Sequence, residues 1–249
     1  MIAALRYEWR RISSIRSTWI LMVGAVVLSG GFALLYSFLL GSELSGDESG
    51  GQPVELTMTL VQGITQSAAN LLAIVILSTI AAQAIGQDYR HGTIRVTLTE
   101  FPNRTTVFFS KIIMALAIIT VAFILSMVVA GIILSVGGNT TAGNEDAIGS
   151  IFRTWLYVVG FCVIAFALTA ITRILALGVI IPLVVAAVLE PLISGLVSSY
   201  VKWLPDALPF AAGSSFAGGT DVVRSGLVFA AWTAGTAAIA YVMFTRRDA

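Results

Sequence analysis

Charged side chains are scarce in this sequence. They make up 11% of its 249 residues, less than half the roughly 25% of an ordinary soluble domain, while 57% of the residues are hydrophobic and the mean hydropathy is +0.94. Cysteine and histidine occur once each, as Cys162 and His91. A lone cysteine excludes a disulfide within the chain and a cysteine-based zinc site, and it sits in an apolar run as a small hydrophobe. A lone histidine excludes a histidine dyad or a histidine zinc cluster. There is no Gly-x-Ser-x-Gly nucleophile turn, no pair of acids inside an apolar run, and no Gly-x-x-x-x-Gly-Lys-Ser/Thr phosphate loop. The chain therefore does not bind ATP through that motif, and enzyme readings have little to stand on.

What is present is apolar length. A membrane span needs about 20 mostly apolar residues, and six stretches qualify: 18–40, 60–85, 108–136, 151–171, 174–192 and 225–245. The expected fold is all-α, a single polytopic membrane domain over residues 1–249. The first stretch is too long for the roughly 7–15-residue apolar core of a cleaved signal peptide and reads as a retained span. The fourth and fifth are divided only by Thr172 and Arg173 and should form a tight hairpin. Pro182, in the middle of the fifth, removes a backbone donor and should kink it.

Basic residues set orientation. With the N-terminus inside, Arg6, Arg10, Arg11, Arg16, Arg90, Arg95, Arg104, Lys111, Arg173, Arg246 and Arg247 fall on the cytoplasmic side, against Arg153, Lys202 and Arg224 outside. Both termini are then cytoplasmic. Residues 1–16 suit an amphipathic helix lying in the membrane interface, with Ile2, Leu5, Trp9 and Ile12 on one face and Arg6, Arg10 and Arg11 pointing elsewhere. The loops 42–54 and 137–149 are rich in Gly and polar residues and carry no evident chemistry. Asn139-Thr140-Thr141 in the second is a glycosylation match of the kind that arises by chance.

Few residues inside the spans offer chemistry. Gln62, Gln66 and Asn70 recur at i, i+4 and i+8 in the second span, which suits either helix packing or the polar wall of a translocation path. Gly226, Ala230, Ala234 and Ala238 form a small-residue stripe in the sixth, suited to close helix approach within the subunit or across a dimer. No acid or base lies deep in a span, which disfavours an ion-driven pump. Glu190 counts back to the outer end of the fifth span, where an interfacial role is expected. Between spans five and six, Pro191, Gly195, Pro205, Pro209, Gly213, Gly218 and Gly219 break residues 191–219 into short runs. That pattern fits a re-entrant or surface-lying hairpin, or an ordinary outer loop.

The segment 87–111, QDYRHGTIRVTLTEFPNRTTVFFSK, is longer than a simple connection between spans two and three. Gly92 should break the helix leaving span two, a short helix fits residues 93–99, and Pro102 punctuates before span three. Mixed charges with Tyr89, Ile94, Val96, Leu98 and Phe101 suit a docking surface, although composition alone also allows a solvated basic loop.

Taken with the six spans, this pattern resembles the ABC-2-type transporter permeases. The residues that carry the resemblance are Asp88, Gly92, Thr93, Pro102, Arg104 and Lys111: a carboxylate, Gly-Thr, a short apolar helix, Pro, Arg, and a Lys opening the next span; it implies that they, with Ile94, form the ATPase-coupling segment. The family more often has Glu where this chain has Asp88. The resemblance implies an N-terminal elbow helix, a cytoplasmic coupling helix within 87–107 and an external re-entrant element at 191–219. It further implies the membrane subunit of an ATP-driven exporter in a bacterial plasma membrane, paired with a second permease subunit as a homo- or heterodimer. A separate cytoplasmic ABC ATPase would hold ATP and Mg. No cofactor is expected in this chain and no nucleic-acid partner. The sparse charge suits an amphipathic, lipid-like, peptide or antibiotic cargo. Two alternatives remain open at this stage: a non-transporting membrane anchor or sensor, and an intramembrane enzyme.

Overall fold

The computed structural model describes residues 2–43, 58–101, 103–137, 140, 146–197 and 203–246. Among them there is no strand. Eleven α-helices follow in order: α1 (Ile2–Ser14), α2 (Arg16–Glu43), α3 (Leu60–Ala68), α4 (Leu71–Arg90), α5 (Ile94–Glu100), α6 (Arg104–Gly137), α7 (Ala147–Thr172), α8 (Leu175–Val184), α9 (Glu190–Val197), α10 (Pro209–Gly218) and α11 (Val222–Arg246). A π-turn, Val185–Leu189, joins α8 to α9, and a 3₁₀ turn, Pro205–Ala207, precedes α10.

Six helical stretches are long and apolar enough to cross a membrane: Arg16–Leu40, Leu71–Arg90, Arg104–Gly137, Ala147–Thr172, Leu175–Leu196 and Val222–Arg246. The six expected spans are therefore present, and the chain is a multi-pass membrane protein. They differ in burial. α4 and α7 are the central pair, with 61% and 67% of their apolar windows buried, whereas the fifth and sixth spans bury 17%. α2, α6, α8 and α11 surround them. Unburied apolar faces such as Ile20, Val27 and Phe38 on α2 are those a lipid solvent would cover. Aromatic side chains fill the seams. Phe108 of α6 meets Phe166 of α7, Tyr241 and Phe244 of α11 at centroid distances of 5.4–5.6 Å, within the favourable range for such pairs.

The second span departs from expectation. It is not one helix over 60–85: the chain breaks after Ala68, and Asn70 restarts it. The Asn70 side chain accepts from Ala73 N at 2.9 Å and donates to the Ser67 carbonyl at 2.6 Å, so one amide caps the new helix and ties off the old one. Thr59 and Gln62 form a reciprocal capping box at the start of α3. Two sets of local caps hold α3 and α4 as separate helices, and α4 runs on to Arg90.

The hairpin between spans four and five is as tight as expected. Arg173 adopts a left-handed φ of 61° and its N–H bonds to the Thr169 carbonyl at 2.8 Å, closing α7. The helices then cross closely at Gly178, where a Cβ would lie 2.9 Å from the Ala165 carbonyl oxygen and closer still to the Thr169 side chain. Pro182 disturbs the fifth span as expected, and the disturbance takes the form of the π-turn. Pro182 offers no N–H, Pro191 follows nine residues later, and the widened turn between them is a known resolution of a disrupted ladder.

Candidate functional site

Four charged side chains meet in the interior at one end of the bundle. Glu8 and Arg11 come from α1, Asp88 from the last turn of α4, and Lys111 from the third turn of α6. Lys111 Nζ donates to Glu8 Oε1 at 2.7 Å and to Asp88 Oδ2. Arg11 pairs with Glu8 at 2.8 Å and with Asp88 Oδ1, and also donates to the Ala84 carbonyl at 2.6 Å. Each acid thus touches both bases, closing a ring of four ion pairs with no net charge. Lys111 is fully buried, Glu8 is 1% exposed and Asp88 3%. Removing such groups from water is costly unless every charge is matched and hydrogen-bonded, and here each one is.

The ring reaches the short helix α5. Thr93 Oγ1 donates to Asp88 Oδ1 at 3.2 Å just before α5 begins. Gly92, with φ of 66°, makes the left-handed step that ends α4, a conformation glycine takes without a Cβ penalty. Ile94 is buried beneath α5, and Tyr7 of α1 packs on Phe101 at its far end, 5.8 Å between centroids. The other face of α5 is open: Val96 is 66% exposed, and Thr99 and Glu100 are exposed beside it.

Of the residues singled out in this segment, Asp88, Thr93 and Lys111 come together in or against the ring, Gly92 makes the turn and Ile94 the underside. Arg104 lies elsewhere: its guanidinium donates to the Thr245 carbonyl at 3.2 Å, at the end of α11. Thr105 and Tyr241 hydrogen-bond beside it at 3.0 Å. Pro102 falls outside the described residues.

Glu8 and Arg11 are the partners that sequence reasoning missed. The expected apolar stripe of Ile2, Leu5, Trp9 and Ile12 is divided between two faces of α1. Ala4, Glu8 and Ile12 face inward, while Ile2 and Trp9 are exposed. Arg11, expected to point away, turns in. The ion pairs decide the rotation, because Glu8 and Arg11 are drawn to Lys111 and Asp88. A signal was available: Glu8 is the sole acid of an otherwise basic helix, at i, i+4, i+8 register with Ala4 and Ile12.

The polar stripe of the second span is divided by the helix break. Gln62 and Gln66 are exposed on α3, with Gln62 engaged in the capping box, while Asn70 is buried as the cap of α4. The small-residue stripe of α11 also divides. Gly226 lies against Phe216 of α10, whereas Ala230, Ala234 and Ala238 are exposed.

A second buried carboxylate lies towards the other end. Glu190, 4% exposed, accepts from Phe210 N at 2.9 Å and from Ala211 N. It caps α10, whose own Leu208 offers no side-chain cap. An interfacial role is thereby corrected: Glu190 is an internal fastening between α9 and α10. The partly positive helix N-terminus suits a carboxylate. Phe210 stacks on Phe161 at 4.6 Å, midway along α7, and a Cβ on Gly213 would strike Tyr157 at 2.7 Å and Phe229 at 2.9 Å. At the other end of α10, Gly219 approaches Arg153 near the start of α7.

Among the described residues no cluster of His, Cys, Asp or Glu has the makings of a metal site. Compared with known proteins, residues 4–194 match the family model described as ABC-2 family transporter protein. No curated protein matches the chain.

Proposed function

The chain belongs to the ABC-2 family of transporter membrane proteins, and on that premise we propose that it is the permease subunit of an ATP-driven exporter, moved by a separate cytoplasmic ATPase that binds ATP and Mg. The observation that carries this reading is the buried ring of Glu8, Arg11, Asp88 and Lys111. It fastens α1, α4 and α6 into one unit directly behind α5. A push on the open face of α5 reaches three helices together, as a rigid-body shift requires. α5 is then the coupling helix, α1 the elbow, and this end of the bundle lies in the cytoplasm with both termini, as the balance of basic residues favours. The membrane is a bacterial plasma membrane.

The remaining assignments rest on the same premise. Two permease subunits, identical or not, would face each other, and the exposed alanines of α11 offer one surface for close approach. The exposed Gln62 and Gln66 of α3 would supply polar groups to the cargo path, with Asn70 shaping it as a cap. An amphipathic, lipid-like, peptide or antibiotic cargo suits walls with so few charges. α10 is read as the external re-entrant element: its N-terminus reaches the middle of α7 at Phe161 and its C-terminus returns towards Arg153. Non-spanning backbone at that depth needs protein around it, and Glu190, Tyr157 and Phe229 provide it.

The test uses Val96, which is exposed on the open face of α5. The chain is co-expressed with a candidate Walker-motif ATPase from the same genome, and Val96→Asp is compared with the wild type. The variant should keep its thermal midpoint but lose co-purification of the ATPase and its cargo-dependent hydrolysis. Retention of both would overturn the coupling role of α5 and favour a non-transporting anchor.

A further inference from the structure

A cavity of about 110 Å³ opens between α1, α2 and α6, lined by Trp9, Ser13, Thr18, Trp19, Met22, Ala117, Ile118 and Val121. Two of its polar lining groups are engaged internally. Trp19 Nε1 donates to the Ser13 carbonyl at 2.8 Å, and Ser13 Oγ to the Arg10 carbonyl at 3.2 Å. The surface left to an occupant is apolar, and water, which needs two or more polar partners, gains little from such a space. Trp9, Trp19 and Val121 are all exposed at its rim, so the cavity opens sideways to the lipid.

Depth and charge indicate what enters. Lys111 lies level with α1, because it pairs with Glu8. Ile118 lies seven residues further along α6, about 10 Å deeper at 1.5 Å per residue. The cavity therefore begins at the level of α1 and extends towards the bilayer interior. Arg6, Arg10 and Arg16 flank its α1 and α2 lining residues and are exposed. Among the described residues none of the three has an ion pair, and the one acid of α1, Glu8, is committed to the buried ring. Cations at headgroup level above an apolar slot match the two halves of one kind of molecule.

We propose that this cavity binds an anionic phospholipid of the cytoplasmic leaflet, with an acyl chain in the slot and the phosphate on Arg10 and Arg16. The leaflet rests on the orientation given above. The site itself does not, because binding in detergent needs neither sidedness nor an ATPase. Failure here and failure of the Val96→Asp test are thus separately visible.

The full chain in neutral detergent is titrated with phosphatidylglycerol or phosphatidylcholine carrying brominated acyl chains, and quenching of tryptophan fluorescence is followed. Phosphatidylglycerol should quench at lower concentration than phosphatidylcholine, and the quenching should fall in Trp9→Phe/Trp19→Phe. Arg10→Gln/Arg16→Gln should weaken the phosphatidylglycerol response roughly thirtyfold, as expected of two arginines near an anionic surface. Ala117→Phe, at an exposed position, should fill the slot and lower quenching to the level left in Trp9→Phe/Trp19→Phe, with the arginines intact. Glycerol phosphate alone should not compete, since it lacks the chain. Equal responses to the two lipids, competition by glycerol phosphate, or full quenching in Ala117→Phe would each overturn the proposal. Native mass spectrometry of lipid retention gives the same contrast should a variant's fluorescence change for other reasons.

Discussion

The two ends of the bundle solve one problem, a charge in an apolar interior, in opposite ways. At the α1 end, two acids and two bases neutralise one another in a closed ring. At the α10 end, Glu190 pairs with no cation among the described residues and is met by two backbone N–H groups of a helix terminus. The first arrangement locks helices that are far apart in sequence, and loses its balance if any member is removed. The second holds one short helix against a surface of rings and glycines, and its removal should leave the rest of the bundle in place. On the proposed function, the stiff end would serve as the lever and the end with a single latch as the gate.

The largest effect should come from Lys111→Met, which leaves Glu8 and Asp88 buried with Arg11 as their one remaining cation. Loss of one partner from a buried ion pair costs about 3–5 kcal/mol, so the variant should be extracted poorly and melt early. Adding Glu8→Leu should restore much of the loss by leaving Arg11 and Asp88 as a matched pair. A double variant no more stable than the single one would mean that the ring is not what binds this end.

Next comes Glu190→Gln. The carboxamide keeps one acceptor and turns an N–H₂ towards a donor, at a cost of about 1–3 kcal/mol. Hydrogen exchange at Phe210 and Ala211 should quicken while amides of α1 stay protected. Uniform loss of protection through the chain would erase the distinction between the two ends.

The sequence told more about the bundle than about these fastenings. Long apolar runs dictate helices in lipid, so the spans and the hairpin at Thr172 and Arg173 were legible. Asp88 and Lys111 stood out through family resemblance, but their partners Glu8 and Arg11 did not, because periodicity weighs apolar residues and α1 is turned by its charges. The break at Asn70 was hidden for a related reason. An amide spaced i+8 from Gln62 reads as a face, and only the Ser67 and Ala73 contacts reveal a cap. Glu190 was placed by counting along an ideal helix, which cannot show that α10 folds back over it.

The smallest effect concerns Asp146, an exposed pairing that calibrates both ends. Its side chain caps α7 and accepts from Arg153 at 2.8 Å, and that hydrogen bond chiefly holds its carboxyl below the usual carboxylate range. The folded pKa lies below the unfolded one, so the contribution is complete above the ordinary Asp range and fades as pH falls through the depressed value. Asp146→Ala should lower the thermal midpoint slightly at neutral pH, and the difference should vanish in acid. A gap that widened on acidification would reverse the assigned sign.

The π-turn at Val185–Leu189 sets the azimuth of everything beyond it. One additional residue in a helix rotates the downstream segment by about 100° relative to a continuous α-helix. Wound as plain α-helix, the fifth span would swing Glu190 around its axis and away from the Phe210 and Ala211 amides. The stretch between Pro182 and Pro191 therefore behaves as a phase spacer, whose composition is free to vary but whose residue count is fixed by the carboxylate it aims.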